Sequence, residues 1–289
     1  MKNFQTSMPL TGKPTGKKSK AELQAAVERL APFHHAIDLP YGLSTYVPAA
    51  SRQDRERTRM QNLLDHAWPS ILAACGGSLA GKRVLDVACN CGGFSVHAAK
   101  AGAKSVLGID IDPHYIEQAN LVKEAVDLHN LDFQQLDLME LDPSKHGEFD
   151  LILFFGILYH LENPVLSLKR ISAVASNVLA VDTTLMKVPI INRILDRWPM
   201  WHMRRVAEVD ATASNITTSR WRPEEFCQFS PNSRAVTSLL EYSGFAGIER
   251  LKPTKAGLEK RYYNGRRATF IAVKYRASYP GVRLAHTSG

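Results

Sequence analysis

The sequence predicts an α/β fold in which a mostly parallel β-sheet is covered by helices on both faces. Between residues 83 and 182, five short apolar segments alternate with segments of helical periodicity. The fourth apolar segment, DLILFF, is an almost continuous apolar run, which is typical of a parallel strand buried on both faces. Two more strand-like segments follow a long irregular stretch, so seven strands are expected.

Two helices are predicted before the sheet and four within it. The second helix carries apolar residues at helical spacing, at Met60, Leu63, Leu64, Trp68 and Leu72. The predicted helices are Ala21–Ala31, Arg52–Cys75, Phe94–Ala101, Pro113–Leu128, Pro164–Ala175 and Arg234–Tyr242. The predicted strands are Arg83–Ala88, Ser105–Ile109, Leu131–Leu136, Asp150–Phe155, Asn177–Asp182, Ile248–Leu251 and Ala268–Lys274, with the last two expected to form an antiparallel hairpin.

The stretch Met186–Ser233 interrupts the sheet pattern and contains four prolines. An interruption of this length inside a compact domain usually has a function, so we predict a lid inserted between strands 5 and 6. The predicted organisation is a basic tail at residues 1–20, a helical cap at 21–80, a sheet domain at 81–185 and 234–276, the lid at 186–233 and a second tail at 277–289.

The net charge of +8 is concentrated at the two ends of the chain. Residues 1–20 contain five lysines and no acid, and residues 250–289 contain ten basic residues and one acid. Such ends can bind phosphates, RNA or acidic membranes, or can simply keep the chain in solution. The chain shows no apolar run long enough to span a bilayer and no secretory signal, so a cytoplasmic protein is expected.

The turn after the first strand is crowded with cysteine, asparagine and glycine. Cys89 and Cys91 form a C-x-C pair, but Cys75 and Cys227 do not supply the second pair that a structural zinc site requires, so no metal site is predicted. The turn also lacks the G-x-G-x-x-G pattern of a dinucleotide site.

The turn reads Asp86-Val-Ala88-Cys-Asn90-Cys-Gly92. It resembles motif I, D-x-G-x-G-x-G, of the class I S-adenosylmethionine (SAM)-dependent methyltransferases. Only the last glycine is kept, but alanine is small and asparagine tolerates left-handed backbone geometry. The resemblance covers residues 82–274 and implies the Rossmann-like seven-stranded sheet of that class, with SAM as the cofactor.

The resemblance also assigns cofactor-binding residues at later strand ends. Asp110, in GIDID, would hold the ribose hydroxyls, and Ile111 would pack on the adenine. Asp137 would take the adenine amino group. Leu138, Phe155 and Gly156 complete the set, and Gly156 opens the region where the acceptor meets the methyl group. Taken singly, each acid could instead cap a helix or a turn.

Three stretches narrow the resemblance to the broad group related to the tRNA wobble-uridine (5-carboxymethoxy) transferases: FHHAIDLPYGLSTYVP, FFGILYHLENPVLSLKRI and FSPNSRAVTSLLEYSGF. In that group a tyrosine and an arginine, matched here by Tyr159 and Arg267, help to hold a carboxylated cofactor. A lysine upstream of motif I also contributes, and the region around Trp68 contains none. This departure favours ordinary SAM.

The acceptor side is predicted from residues with suitable chemistry. His160 is the candidate base and Tyr159 its neighbour, with His34 and His35 as second choices, because neutral histidine can remove a proton near pH 7. Either ring could also simply pack. The segment Val188–Arg205, with Trp198 and Trp201, could be a lid over the acceptor, an RNA surface, a membrane-surface helix or a helical subdomain, and we favour a lid that is partly such a subdomain.

The leading hypothesis is a methyltransferase acting on oxygen or nitrogen of a small-molecule acceptor, as a monomer or homodimer. The alternative is a tRNA wobble-uridine-type methyl or carboxymethyl transferase. A cofactor-binding scaffold without activity is a third hypothesis, which the acids and glycine of the turn disfavour.

Overall fold

The computed structural model describes residues 18–45, 53–186, 197–207, 225–253, 258 and 260–274, with the backbone alone at 53–59, 204–207 and 225–228. The strands are β1 Arg83–Val87, β2 Ser105–Asp110, β3 Leu131–Gln135, β4 Phe149–Phe155, β5 Ala175–Thr184, β6 Trp201–Ala207, β7 Glu225–Pro231, β8 Phe245–Arg250 and β9 Arg267–Lys274. The α-helices are α1 Lys20–Leu30, α2 Gln53–Ala74, α3 Gly93–Lys100, α4 Pro113–Val126, α5 Pro143–His146, α6 Pro164–Val174, α7 Ser233–Tyr242 and α8 Lys260–Tyr263. Short 3₁₀ helices lie at Pro40–Gly42, Leu138–Glu140 and Leu158–His160.

Seven of the strands form one sheet in the order β3-β2-β1-β4-β5-β9-β8. The first five are parallel to one another, while β9 is antiparallel to both β5 and β8. This order confirms the predicted Rossmann-like sheet of class I methyltransferases. The strand order reverses between β1 and β4, and ligands of open α/β sheets bind beyond the carboxyl ends of the strands at such a point.

Alternation along the strands divides the core between the two faces of the sheet. Val84, Leu151 and Val178 belong to one cluster, which also holds the buried faces of α1, α2, α3 and α4. The residue that follows each of these three in sequence belongs to the second cluster, which also holds the buried faces of α6 and α7. Because strand side chains alternate, Asp86 and Asp182 lie on the α2 side of the sheet.

The insertion differs from the prediction. Residues 201–207 and 225–231, which were expected to be irregular or helical, form a two-stranded antiparallel ribbon in which Trp201 pairs with Pro231. The ribbon is joined to the main sheet by the Met186 amide, which donates to the Pro231 carbonyl at 2.8 Å. A short ribbon of this kind gains its stability from pairing and from its neighbours, so a periodicity argument on one segment could not detect it. Residues 188–196 of the predicted lid lie outside the described residues.

The predicted tails lie mostly outside the described residues. The described chain begins with a helix cap: the Ser19 hydroxyl accepts a hydrogen bond from the Glu22 amide, and the Glu22 carboxylate accepts one from the Ser19 amide. This capping box starts α1 at Lys20, one residue earlier than predicted. In α4, the Gln118 side chain donates to the Leu30 carbonyl at 2.6 Å, which fixes the end of α1 against the sheet domain.

Gly108 offers a test of packing in this sheet. A Cβ at this position would lie 2.5 Å from Cδ1 of the Phe133 ring and 2.9 Å from Oγ of Ser95. We therefore expect Gly108→Ala to lower the free energy of unfolding by about 1–3 kcal/mol, measured from denaturant midpoints. Adding Phe133→Leu should recover part of the loss, because it removes the ring. Equal midpoints for wild type and Gly108→Ala would contradict this packing.

Candidate cofactor and acceptor site

The turn after β1 contains three residues with left-handed backbone geometry. Ala88 has φ 56°, Asn90 has φ 52° and Gly92 has φ 83°. Each non-glycine residue in this region costs on the order of 1 kcal/mol, which is a strain that concentrates at functional sites. Gly92 is further required because a Cβ there would lie 2.4 Å from Cζ of Phe133. The two substituted glycines of the motif thus keep a backbone shape that glycine would adopt freely.

Asp110, the last residue of β2, fixes this turn. One carboxylate oxygen accepts a hydrogen bond from the Asn90 amide at 2.9 Å, and the other accepts one from the Asp112 amide at 3.0 Å. A carboxylate has further lone pairs for ligand hydroxyls. The adjacent Ile111 side chain is 44% exposed, an unusual state for isoleucine at a strand end, and it offers an apolar surface next to the carboxylate.

Asp86 is the second acid of the site, and it is buried. Its carboxylate accepts a 2.6 Å hydrogen bond from the Ser95 hydroxyl of α3. Burial raises the pKa of Asp86 to about 7, and burial likewise raises the pKa of Asp110 to about 6. Each acid therefore needs a nearby positive charge or added hydrogen bonds to hold its ionised form at lower pH.

Asp137 has a structural role in the described geometry. Its carboxylate accepts a hydrogen bond from the Met139 amide at 2.9 Å and caps the 3₁₀ helix that includes Leu138. Both residues follow β3, at the same edge of the sheet as Asp110. Their contact with an adenine stays a prediction.

The segment that precedes α2 is bonded directly to the turn. The His35 amide donates to the Cys91 sulfur at 3.2 Å, and the Gly93 amide donates to Nδ1 of His35 at 3.2 Å. The His35 ring packs edge-on against His34 and Phe94, and Phe94 packs in the same way on Phe155. Histidines 34 and 35 are therefore close to the turn, beside the end of β4.

The turn cysteines are poor metal ligands. Burial raises the pKa of the Cys91 thiol to about 12 and the pKa of the Cys89 thiol well above its ordinary value, so both are protonated. Across the described ranges, no three histidine, cysteine or acidic side chains are grouped so that they could hold a metal ion. In the same ranges, no helix combines the length and apolar composition that a membrane crossing requires.

The end of β4 leads into the residues that were predicted to contact the acceptor. Gly156 has φ 75°, and its amide donates to the Asp182 carbonyl at 2.8 Å. Tyr159 and His160 are half-buried in the following 3₁₀ helix, with ring centroids 4.1 Å apart. Strand β7 lies against this helix, so the ribbon borders the region where the acceptor is predicted to bind. Trp198, which precedes the ribbon in sequence, is 67% exposed. Trp201, the first residue of the ribbon, packs against the core cluster that includes residues of α6 and α7.

A buried polar cluster lies beside Gly156. Asp182 of β5 is fully buried and forms an ion pair with Arg267 of β9, whose Nε donates to Oδ1 at 2.6 Å. The Tyr262 and Thr269 hydroxyls donate to Oδ2 at 2.7 and 2.8 Å. Thr269 is directly opposite Asp182 in the antiparallel register, which explains their contact. The resemblance matched Arg267 to an arginine that helps to hold a carboxylated cofactor, and here its charge is balanced by an acid that was not expected.

Two groups around this cluster are buried without partners. Nη1 of Arg267 and both ring nitrogens of His66 find no hydrogen-bond partner among the residues that the structure describes. His66, on α2, has its ring 5.8 Å from the Tyr262 ring, and Asp182 is close enough to affect its pKa. Sequence reasoning missed His66, Asp182 and Tyr262. The sequence did contain one signal for this cluster, because the apolar strand NVLAVD ends in an acid, Asp182.

Comparison with known proteins decides the family. A profile of the family described as "Methyltransferase domain" matches residues 78–227, more than half of the 289-residue chain. The chain belongs to this methyltransferase family. The match begins just before β1, includes the turn, β2, β4 and β6, and ends within β7.

Curated relatives of this methyltransferase have two kinds of name. A ubiquinone biosynthesis O-methyltransferase of Acinetobacter baylyi is 33% identical over 93 residues, which are 32% of this chain and 39% of the relative. A tRNA U34 carboxymethyltransferase of Colwellia psychrerythraea is 25% identical over 199 residues, which are 68% of this chain and 54% of the relative. The matches thus span about half of these relatives' length or less.

Solved structures share the fold of this methyltransferase. The N-terminal domain of EvdMO1 with SAH bound has a TM-score of 0.64 at 19% identity, covering 89% of this chain and 97% of that domain. Magnesium protoporphyrin IX methyltransferase from Synechocystis with bound SAH has a TM-score of 0.53 at 19% identity, covering 80% of this chain and 90% of that one. At these identities the likeness concerns the fold.

Proposed function

We propose that this chain is a SAM-dependent methyltransferase that transfers a methyl group to oxygen or nitrogen of a small-molecule acceptor. The observation that carries the cofactor half is Asp110, whose carboxylate fixes the left-handed turn after β1 at the edge where ligands of this fold bind. The fold neighbours that hold SAH or SAM in their crystals support the same cofactor.

The chemistry of the donor set fits SAM. Asp110 would accept hydrogen bonds from the ribose hydroxyls, and Ile111 would cover one face of the adenine. Asp137 and Leu138 would border its edge. The turn from Asp86 to Gly92, including Ala88 and Asn90, would pass close to the methionine part, and Phe155 and Gly156 would lie between cofactor and acceptor. When bound, SAM supplies a methyl group activated by a sulfonium centre.

The choice between SAM and a carboxylated donor rests on the ion pair of Arg267. Because Asp182 already balances the guanidinium, the cluster has no net charge to offer a carboxylated donor. This favours ordinary SAM over carboxymethyl transfer. Tyr159 and His160 would contact the acceptor, the rings of His34 and His35 would shield the site from water, and Trp198 and Trp201 of the ribbon region would form its outer border.

A tRNA-modifying transferase is the second candidate. It is favoured by the Colwellia relative, whose match extends over 68% of this chain, and by the exposed basic side chains of Arg250, Lys252, Lys260 and Arg266. Binding to tRNA through such residues would be electrostatic and would weaken steeply with salt.

The experiment that separates these functions is titration calorimetry of the purified chain with SAM, carboxylated SAM and bulk tRNA, the last at two salt concentrations. We expect SAM to bind more tightly than carboxylated SAM and tRNA to show no salt-sensitive binding. A preference for carboxylated SAM, or tRNA binding that falls with salt, would transfer the assignment to the second candidate. Binding of neither cofactor would refute both.

Cofactor affinity should depend on pH through Asp86 and Asp110. Their raised pKa values of about 7 and about 6 mean that the unliganded protein binds protons there, and a cationic cofactor favours the ionised acids. SAM affinity should therefore fall by up to about tenfold per pH unit below about 7, where Asp86 takes up its proton, and more steeply below about 6, where Asp110 does so as well, with proton release on binding near pH 6–7. Calorimetry in buffers of different ionisation enthalpy measures both quantities.

The stability of the unliganded protein should change in the opposite direction. An acid whose pKa is raised by folding stabilises the protein fully below its unfolded pKa near 3.8, and this contribution is lost as pH rises through the folded pKa of about 6 to 7. Asp86→Asn should remove the change near pH 7 from both the SAM affinity and the stability of the unliganded protein, because Asp86 titrates there. A pH-independent SAM affinity between 5 and 8 would contradict the assignment of these acids.

A further inference from the structure

The buried cluster beside Gly156 has unused hydrogen-bonding groups. Asp182 receives donors from Arg267, Tyr262 and Thr269, yet Nη1 of Arg267 has no partner among the described residues. The two ring nitrogens of His66, a residue that is only 8% exposed, also have no hydrogen-bond partner among the described residues. A buried polar group without a partner is costly, and two around one carboxylate require an explanation.

The cluster also lies in the right place for acceptor chemistry. Asp182 is the register partner of Phe155, and its carbonyl accepts from the Gly156 amide. A Cβ on Gly156 would lie 3.8 Å from Nη2 of Arg267, and Tyr159 is near enough to that guanidinium to raise its pKa. The unpartnered groups are therefore grouped at the carboxyl ends of β4 and β5, next to the position proposed for the transferred methyl group.

We propose that His66 and Arg267 bind an acceptor hydroxyl, with His66 as the base that removes its proton and Nη1 of Arg267 as the donor that holds its oxygen. This inference rests on the proposed methyltransferase function and specifies its acceptor as a phenol-like or alcohol-like hydroxyl. His66 replaces His160, which sequence reasoning offered, because His66 is the ring whose two nitrogens are both buried and unpartnered.

The step balances without an added reactant. The hydroxyl proton moves to a ring nitrogen of His66, and the oxygen forms a bond to the methyl carbon of the sulfonium donor. The carbon–sulfur bond breaks, and its electron pair stays on sulfur. Asp182 stabilises the imidazolium that results, and the imidazolium then returns its proton to solvent.

The charges favour a hydroxyl over a carboxylate. His66 is close to Asp182 of β5, which affects its pKa, and its ring packs edge-on against Tyr262 of α8. Arg267 of β9 is ion-paired with the same Asp182, so the acid and the guanidinium balance each other. Burial lowers the pKa of His66 against the opposing effect of Asp182, so the ring is neutral near pH 7 and has one donor and one acceptor nitrogen. A hydroxyl satisfies both the acceptor nitrogen of His66 and the donor of Arg267, whereas a carboxylate satisfies donors alone.

The test uses the full chain saturated with SAH and titrated with phenol, anisole and benzoate. Ring ¹⁵N signals of labelled histidines are followed by NMR, with His66 assigned by His66→Gln. We expect phenol to shift the His66 signals more than the other two probes do. Phenol affinity should fall about tenfold in His66→Gln and in Arg267→Lys, while SAH affinity stays unchanged. The Arg267→Lys variant keeps the positive charge beside Asp182 but loses Nη1. His129→Gln, at a histidine whose side chain is 91% exposed, is the matched control.

The following outcomes would contradict the proposal that His66 and Arg267 bind an acceptor hydroxyl. Phenol binding that leaves the His66 signals and both variants unchanged would place the hydroxyl elsewhere. Stronger binding of benzoate than of phenol would make the cluster an anion site, and an absent phenol response in the SAH complex would exclude it as an acceptor site. If His66→Gln does not fold, the phenol affinity of Arg267→Lys relative to wild type still decides. Failure of SAH itself to bind would refute the proposed function as well, which the SAH titration shows before any phenol is added.

Discussion

Asp110→Asn is expected to weaken SAM binding by at least about 100-fold. The carboxylate holds the Asn90 and Asp112 amides, and in the proposed complex it also accepts from ribose hydroxyls. Hydrogen bonds to a charged group contribute about 1.5–3 kcal/mol each, so losing two of them gives an effect of this size. Asparagine also places an NH₂ donor where one of the two backbone amides requires an acceptor. Titration calorimetry with SAM measures the change.

Asp132→Asn is the matched control for the loss of one acid. Asp132 is on β3, and its side chain is 74% exposed. We expect its SAM affinity to match that of wild type. Thermal unfolding of both variants shows whether the fold persists. A folded Asp110→Asn protein with wild-type affinity would contradict the proposed cofactor site.

Arg267→Gln is expected to lower the free energy of unfolding by about 3–5 kcal/mol, because it leaves the fully buried Asp182 without its countercharge. Denaturant unfolding measures the difference. Arg266→Gln, at the exposed neighbouring residue, should change stability by no more than about 0.5 kcal/mol.

The double variant Arg267→Gln with Asp182→Asn separates charge from packing. Because the second substitution removes the uncompensated acid, the double variant should lose less stability than the two single losses added together. Strict additivity, or an Arg267→Gln protein as stable as Arg266→Gln, would show that the pair contributes little to folding.

The sheet and the cofactor edge were predictable from the sequence because their signals are local. Five apolar segments alternate with helices. Asp86 lies near the carboxyl end of the first segment and Asp110 directly after the second, so their proximity follows from parallel topology alone. The β6–β7 ribbon was not predictable, since its pairing joins residues separated by a long connection. Only the shared pairing gives those residues a strand conformation.

The polar cluster was hidden for a different reason. Asp182, Tyr262 and Arg267 belong to β5, α8 and β9, and only the antiparallel register of β5 with β9 brings the acid and the arginine together. His66 lies among the apolar residues of α2 and reads as part of a packing face. Arg267 alone was identified, from the resemblance, and its ion pair with Asp182 was not foreseen.

The hydrogen bonds of His35 with Cys91 and Gly93 join the segment before α2 to the turn after β1. Residues 33–37 and the turn are ordered together, so the entropy lost in ordering one is shared with the other. A ligand that stabilises the turn must therefore also stabilise the segment before α2, and any event that releases that segment must weaken the ligand by the same free energy. The helical region before β1 and the sheet domain are in this respect one thermodynamic unit, in which a binding partner of either part is sensed by the other.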